Sequence, residues 1–117
     1  MATVTLKKGL RVKDAVHTEA EIRESTAGDF IEATEESERL CQTPDGNYVL
    51  VASPTLVGIN ILRRQIVRIG EYEGPLTLGE LKKLSGGDLS LLQDKATQLE
   101  GAAVAEKVTD RGRGDAA

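Results

Sequence analysis

The sequence predicts an α+β domain, in which an N-terminal β-hairpin or three-stranded antiparallel meander packs on three to four α-helices and a disordered C-terminal tail follows. Two observations carry this prediction. Apolar and polar residues alternate near the N-terminus, which is the period of a strand with one face in water. From Ser53 onward, residues that start and stop helices recur in order around segments of helical periodicity. A chain of 117 residues fits one domain, placed at residues 1–105, with the tail at 106–117.

The first predicted element is the hairpin. Alternation runs from Thr3 to Val12 and is interrupted at Lys8-Gly9. A turn at Asp14-Ala15 leads to a second, weaker alternation over Val16–Arg23. Two or three strands alone are marginally stable, so we expect this sheet to pack against helices.

A first helix is predicted from the capping box Thr26-Ala27-Gly28-Asp29 to about Leu40, with a thin apolar stripe and acidic outer faces. Pro44 and the pair Asp45-Gly46 indicate a turn. The short apolar segment Tyr48–Ala52 is either a strand added to the hairpin or irregular chain that enters the next helix.

The second helix has the clearest signals. Ser53-Pro54 is a preferred helix start, and Gly70 is a typical left-handed stop, which predicts a helix to Ile69. Its apolar stripe consists of Leu56, Ile59, Leu62, Ile66 and Ile69. Two further capping boxes, at Thr77–Glu80 and Ser85–Asp88, predict a short helix and a longer final one.

Composition argues against several classes of function. The chain has a net charge of −4, one Cys, one His and no Trp. It is neither a polycation nor rich in aromatic rings, so binding to nucleic acid is not expected. A lone His without further ligands at metal-binding spacing argues against a metal site, and no phosphate-binding loop or nucleophile–base pair indicates a cofactor or catalysis. No apolar run approaches the ~20 residues of a membrane span.

Arg63 is the polar residue with the most specific predicted contact. Its side chain projects close to the middle of the apolar stripe, where a guanidinium needs a partner. Three arrangements are open. The guanidinium reaches the rim of the helix, or it pairs with Asp29 or Glu24. Alternatively, it faces an acidic partner or a second subunit together with Arg64 and Arg68.

Several motifs, in this order, resemble the Mu-like and P2-like phage tail assembly chaperones. They are R-E-S-T-A-G-D at 23–29, S-P-T-L at 53–56, L-R-R-Q-I-V-R-I-G at 62–70, G-P-L-T-L at 74–78 and L-K-K-L-S-G-G-D-L-S-L-L at 81–92. The resemblance covers roughly residues 4–99. The family pattern often has Pro where this chain has Ser25 and Asp-Gly where it has Asp14-Ala15, which affects turn geometry.

The resemblance implies a non-enzymatic assembly factor without a cofactor, made in the cytoplasm of an infected or lysogenic bacterial host. Such a protein binds the tape measure protein during tail morphogenesis, with the tail tube protein as a second candidate partner and a homo-oligomer left open. Six residues are candidates for partner contact: Val57, Ile61, Arg63, Arg64, Arg68 and Leu91. Two alternatives stay open, a small nucleic-acid-binding regulator that uses the Arg-rich helix 54–69 and a structural component of the phage tail.

Overall fold

A computed structural model describes the backbone of residues 1–115 and the side chains of residues 1–101. Six strands and four helices occur in the described part of the chain. In order they are β1 (Ala2–Val12), β2 (Ala15–Ile22), α1 (Ala27–Ser37), β3 (Glu38–Gln42), β4 (Tyr48–Ala52), α2 (Pro54–Gln65), β5 (Ile66–Ile69), β6 (Tyr72–Glu73), α3 (Leu78–Lys82) and α4 (Gly86–Asp115).

The main sheet has four antiparallel strands in the order β1-β2-β5-β6, and helices pack against it. The predicted α+β class and the N-terminal hairpin are therefore confirmed. The buried core contains side chains of β1, β2 and β5 together with side chains of α2, α3 and α4. Its fully buried members include Leu10, Ile22, Ile66 and Leu92.

The interruption of β1 at Lys8-Gly9 is a bulge. Thr5 pairs with Glu19 and Leu10 with His17, so the register shifts between these two pairs. Gly9 has a φ of +78°, and a Cβ built there would lie 2.5 Å from the carbonyl oxygen of His17. Both the conformation and the close approach of the backbone favour glycine at this position.

The predicted end of the first helix, at about Leu40, was wrong, because α1 ends at Ser37 and the chain continues as β3. β3 pairs with β4 in a separate two-stranded sheet, around the turn that contains Asp45-Gly46. Of the two alternatives for Tyr48–Ala52, the strand is therefore the correct one. Its partner is β3, however, and not the N-terminal hairpin. We call β3, β4 and their turn the exposed ribbon.

Prediction of a second helix to Ile69 was also wrong, since α2 ends at Gln65 and residues 66–69 form β5. Ile22 pairs with Ile66 and Ala20 with Ile69, across a register shift. This bulge makes two inward residues of β5 three positions apart, which imitates the spacing of a helical stripe. Gly70 does adopt a left-handed conformation, with a φ of +59°, but it turns the chain from β5 to β6.

Capping boxes at Thr26 and Thr77 are both formed as predicted. The Oγ of Ser53 accepts a hydrogen bond from the backbone N–H of Leu56, which confirms the predicted start of α2. The tail predicted for residues 106–117 falls mostly in the last turns of α4. The side chains of those turns, together with residues 116 and 117, lie outside the described part of the chain, so the disorder of this segment stays a prediction.

Candidate partner-binding surfaces

The described residues hold no metal site and no orphaned buried polar group. They contain no group of three or more His, Cys, Asp or Glu that could hold a metal ion. Every buried side-chain nitrogen or oxygen among them has a hydrogen-bond partner. None of the described helices is both long and apolar enough to cross a membrane.

Arg63 and Arg64 form an ionic clasp between α1 and α2. The guanidinium of Arg63 donates to Glu36, to Oδ1 of Asn60 at 3.1 Å and to the carbonyl oxygen of Leu76 at 3.1 Å. Arg64 also donates to Glu36, and its Nε lies 3.2 Å from a carboxylate oxygen of Glu32. Hydrogen bonds from Arg64 and Arg63 hold the pKa of Glu36 below its usual value.

The predicted pairing of Arg63 with Asp29 or Glu24 was wrong, because the guanidinium of Arg63 pairs with the carboxylate of Glu36. Asp29 is engaged elsewhere, by a two-pronged contact from Arg23 with distances of 2.7 and 2.9 Å. Glu36 lies two turns further along α1 and is the carboxylate that the clasp uses.

Arg68 lies on β5 and not on a helix. Its Nε and one terminal nitrogen donate to the carboxylate of Glu21 on β2, at 3.1 and 3.2 Å. The three arginines therefore lie on two elements, Arg63 and Arg64 on α2 and Arg68 on β5. Each of them forms an ion pair with a carboxylate of the same chain. This removes the continuous Arg-rich helix 54–69 on which the nucleic-acid alternative depended. Contact of these arginines with a partner stays a prediction.

An apolar groove of about 660 Å³ runs between α2 and α4. Apolar or small residues contribute most of its surface, namely Pro54, Gly58, Ile59, Ile61, Leu62 and Ala96. The polar residues Ser25, Thr55, Gln65, Gln93 and Thr97 line the rest of it. A Cβ added at Gly58 would meet no atom within 4 Å, so the groove is open above this residue. Glu100 is the one charged residue among the described residues that line it, and its carboxylate accepts hydrogen bonds from the N–H and Oγ of Ser25. We call this recess the α2–α4 groove.

A second apolar recess of about 410 Å³ lies on the other side of Ile59, which lines both. Four leucines of α2, α3 and α4 line it, with the cations Arg39 and Lys82 beside them. α2 is therefore a wall shared by two apolar recesses.

The structure separates the six candidate contact residues. Ile61 lines the α2–α4 groove, and Val57 is half-buried on the same helix. Leu91 packs against the core and lines a shallow depression with Thr3 and Thr5 of β1. Arg63 and Arg64 meet at Glu36, whereas Arg68 lies on the main sheet.

Sequence analysis missed an exposed apolar surface on α1 and the exposed ribbon. Leu40 and Leu50 each expose 66% of their surface, and Tyr48 exposes 63%. Phe30 and Ile31 of α1 are also more than half exposed. A signal was present: an Asp-Gly turn between two segments of strand-forming residues is typical of a hairpin.

These features define a small α+β domain whose recesses and exposed side chains suit contact with other proteins. Residues 6–113 match the family described as tail assembly protein gp41, and the chain belongs to this family. This confirms the predicted membership among the Mu-like tail assembly proteins.

Individual relatives agree with the family assignment. The chain is 40% identical over 112 residues to Mu-like prophage FluMu protein gp41 of Haemophilus influenzae, which covers 96% of this chain and 87% of that protein. It is 41% identical over 113 residues to the probable tail assembly protein gp41 of Escherichia phage Mu, covering 92% and 77% of the two chains. It is 39% identical over 114 residues to the probable tail assembly protein FS-gp41 of Escherichia phage Mu. That match covers 94% of this chain and 60% of the phage protein. No solved structure matches the fold.

Proposed function

We propose that this protein is a tail assembly chaperone that acts by binding and not by catalysis. Its proposed partner is the tape measure protein, with the tail tube protein as a second candidate, and the proposed place is the cytoplasm of the bacterial host. Membership in the family and the names of the Mu relatives support a role in tail assembly.

The α2–α4 groove is the observation that carries the proposal. A long helix with an apolar stripe aggregates unless the stripe is covered, and a groove between two helices is a common receptor for such a stripe. Gly58 leaves space for close approach of a partner helix, and Ile61 and Ile59 supply apolar contact. This retains Ile61 as a contact residue for the partner.

Charge has a small part in this groove. Within the part of the chain whose side chains are described, Glu100 is the one charged residue that lines it, and that carboxylate is already bonded to Ser25. We therefore expect binding to depend on apolar area and to change little with salt, because screening acts on exposed charges. The arginines of the clasp would then serve the fold, by holding α2 against α1.

Filling the groove tests the proposal. Gly58→Trp places an indole in open space within a helix, and Gly101→Trp makes the same change on an exposed position of α4 that does not line the groove. When the full chain is expressed together with the tape measure protein of its own phage, we expect wild type and Gly101→Trp to keep that protein soluble and to co-purify with it. Gly58→Trp should lose both effects.

Two outcomes would contradict the proposal. A tape measure protein that stays insoluble beside the wild-type chain removes the chaperone activity. Equal co-purification with Gly58→Trp and Gly101→Trp removes the groove as the binding site. Recovery of the protein from purified phage particles would favour a structural tail component instead.

A further inference from the structure

β4 is an uncharged edge strand. Its sequence, Tyr48-Val49-Leu50-Val51-Ala52, has no charge, no Pro and no Gly. Within the described residues the exposed ribbon has two strands, so β4 has β3 on one side and no strand on the other. Natural proteins usually protect such an edge with charges, Pro or a covering segment, because an open apolar edge recruits another strand. β3 carries Glu38 and Arg39, whereas β4 carries none of these protections.

The register of the ribbon shows which backbone groups face outward. The N–H of Thr43 donates to the carbonyl oxygen of Asn47 at 2.7 Å, which makes this pair a hydrogen-bonded one. Hydrogen-bonded and non-hydrogen-bonded pairs alternate along an antiparallel ladder. Leu40 and Leu50 are therefore a non-hydrogen-bonded pair, as are Gln42 and Tyr48. It follows that the N–H and C=O groups of Tyr48, Leu50 and Ala52 point to the open edge.

We propose that two copies of this chain pair through β4, antiparallel and about a two-fold axis through Leu50. Leu50 then lies opposite Leu50 of the second copy, and Tyr48 lies opposite Ala52 of the second copy. Each of these is a hydrogen-bonded pair that uses the outward groups, so the two ribbons join into one sheet of four strands.

A second copy fits this edge because β4 is complementary to itself. An isologous contact brings each residue against the same strand, and a strand without charges meets no like charge there. Tyr48 beside Ala52 combines a large side chain with a small one, and Val49 faces Val51. Leu40 and Leu50 are cross-strand partners, so the dimer aligns four leucines in a row across one face of its sheet.

The expected dimer is weak. A ladder of five residues buries less than the roughly 800 Å² per partner of a standard interface, so exchange between monomer and dimer at micromolar concentration is expected. This inference is independent of the proposed groove, because it uses a different surface and needs no tape measure protein.

Proline substitutions in the full chain test the pairing. Leu50→Pro removes an N–H that donates no hydrogen bond within the ribbon. In the dimer, this N–H of each copy donates to the other copy, so the substitution removes two hydrogen bonds. Leu40→Pro makes the matched change on the opposite edge of the same ribbon. In sedimentation velocity from about 1 to several hundred micromolar, we expect wild type and Leu40→Pro to dimerise alike and Leu50→Pro to dimerise at least tenfold more weakly.

Cysteine cross-linking keeps the test decisive if a proline variant fails to fold. Cys41 is exposed, so it is first replaced by Ser. Cα atoms of a hydrogen-bonded antiparallel pair lie about 5.5 Å apart, within the range of a disulfide. Oxidation should then give a covalent dimer for Leu50→Cys and not for Leu40→Cys. A wild type that is monomeric at every concentration, or a Leu50→Cys protein that cross-links no better than Leu40→Cys, would overturn the proposal.

Discussion

At the scale of single residues, Asp29 ties the start of α1 to the segment before it. Both of its oxygens accept hydrogen bonds from Arg23, and one also accepts from the N–H of Thr26 at 2.8 Å. The side chain is 8% exposed. The contact with Arg23 is the main cause that lowers the pKa of Asp29 from 3.8 to about 2. A carboxyl whose pKa is lower in the folded state stabilises the fold wherever it is ionised.

This carboxyl predicts a pH dependence. At pH 7, Asp29→Asn should lower the free energy of unfolding by about 2 kcal/mol, as the pKa shift implies. The loss should shrink as the pH falls from about 4 to 2, because wild-type Asp29 becomes protonated in that window. Urea unfolding at a series of pH values measures this, with Glu35→Gln on the exposed face of α1 as control. A difference between wild type and Asp29→Asn that stays constant down to pH 2 would refute it.

The partner of Arg63 could not be predicted from the sequence. Its need for a carboxylate was visible, because the guanidinium projects from an apolar stripe. Which carboxylate it meets depends on how α1 crosses α2, and no local signal encodes that crossing. Capping residues such as Thr26 and Thr77 act within four residues, and they were predicted correctly.

At the scale of elements, Asp88 joins α4 to the bulge of β1. Its carboxylate accepts hydrogen bonds from the N–H groups of Lys7, Lys8 and Gly9, at 2.7, 3.0 and 2.9 Å. Its own N–H donates to Oγ of Ser85 at 3.1 Å, so the first half of the predicted capping box is present. The second half is not, because the carboxylate of Asp88 accepts from β1 and not from the N–H of Ser85. Burial alone would raise the pKa of Asp88, but the backbone donors keep it below its usual value. The same residue therefore starts a helix and holds a strand 80 positions away.

Replacing this carboxylate should destabilise the whole domain. Asp88→Asn puts an amide NH₂ against partly buried backbone donors, so at least one of these N–H groups loses its acceptor, which should cost roughly 3 kcal/mol. Asp94→Asn, on an exposed position of the same helix, should change stability by less than about 0.5 kcal/mol. Urea unfolding compares the two. Equal stability of the two variants would show that the bulge does not depend on Asp88.

Helix starts were predictable at this scale and two helix ends were not. α1 and α2 both stop where a strand partner becomes available, β4 for the first and β2 for the second. Such partners are remote in sequence, so the periodicity of Ile66–Ile69 alone predicted that the helix would continue. In the structure these residues form a strand instead, because they pair with β2.

At the scale of the whole molecule, two surfaces of different character lie on one domain. The α2–α4 groove is concave and apolar, which suits a helix, and the edge of β4 is extended and uncharged, which suits a strand. Ile61 could be selected from the sequence because it lies off the apolar stripe of α2. The groove itself depends on how α4 lies beside α2, and that arrangement is set by contacts such as those of Asp88 with β1.

Photo-cross-linking shows directly whether a tape measure helix binds in the α2–α4 groove, as we propose. Thr97 and Gln98 are neighbours on α4 and both exposed, but Thr97 lines the groove and Gln98 lines the depression beside Leu91. A benzophenone side chain is introduced at either position in the full chain, expressed together with the tape measure protein and irradiated. We expect a covalent adduct with the tape measure protein from position 97 and none from position 98. An adduct from position 98 alone, or none from position 97 in a complex that co-purifies, would contradict it.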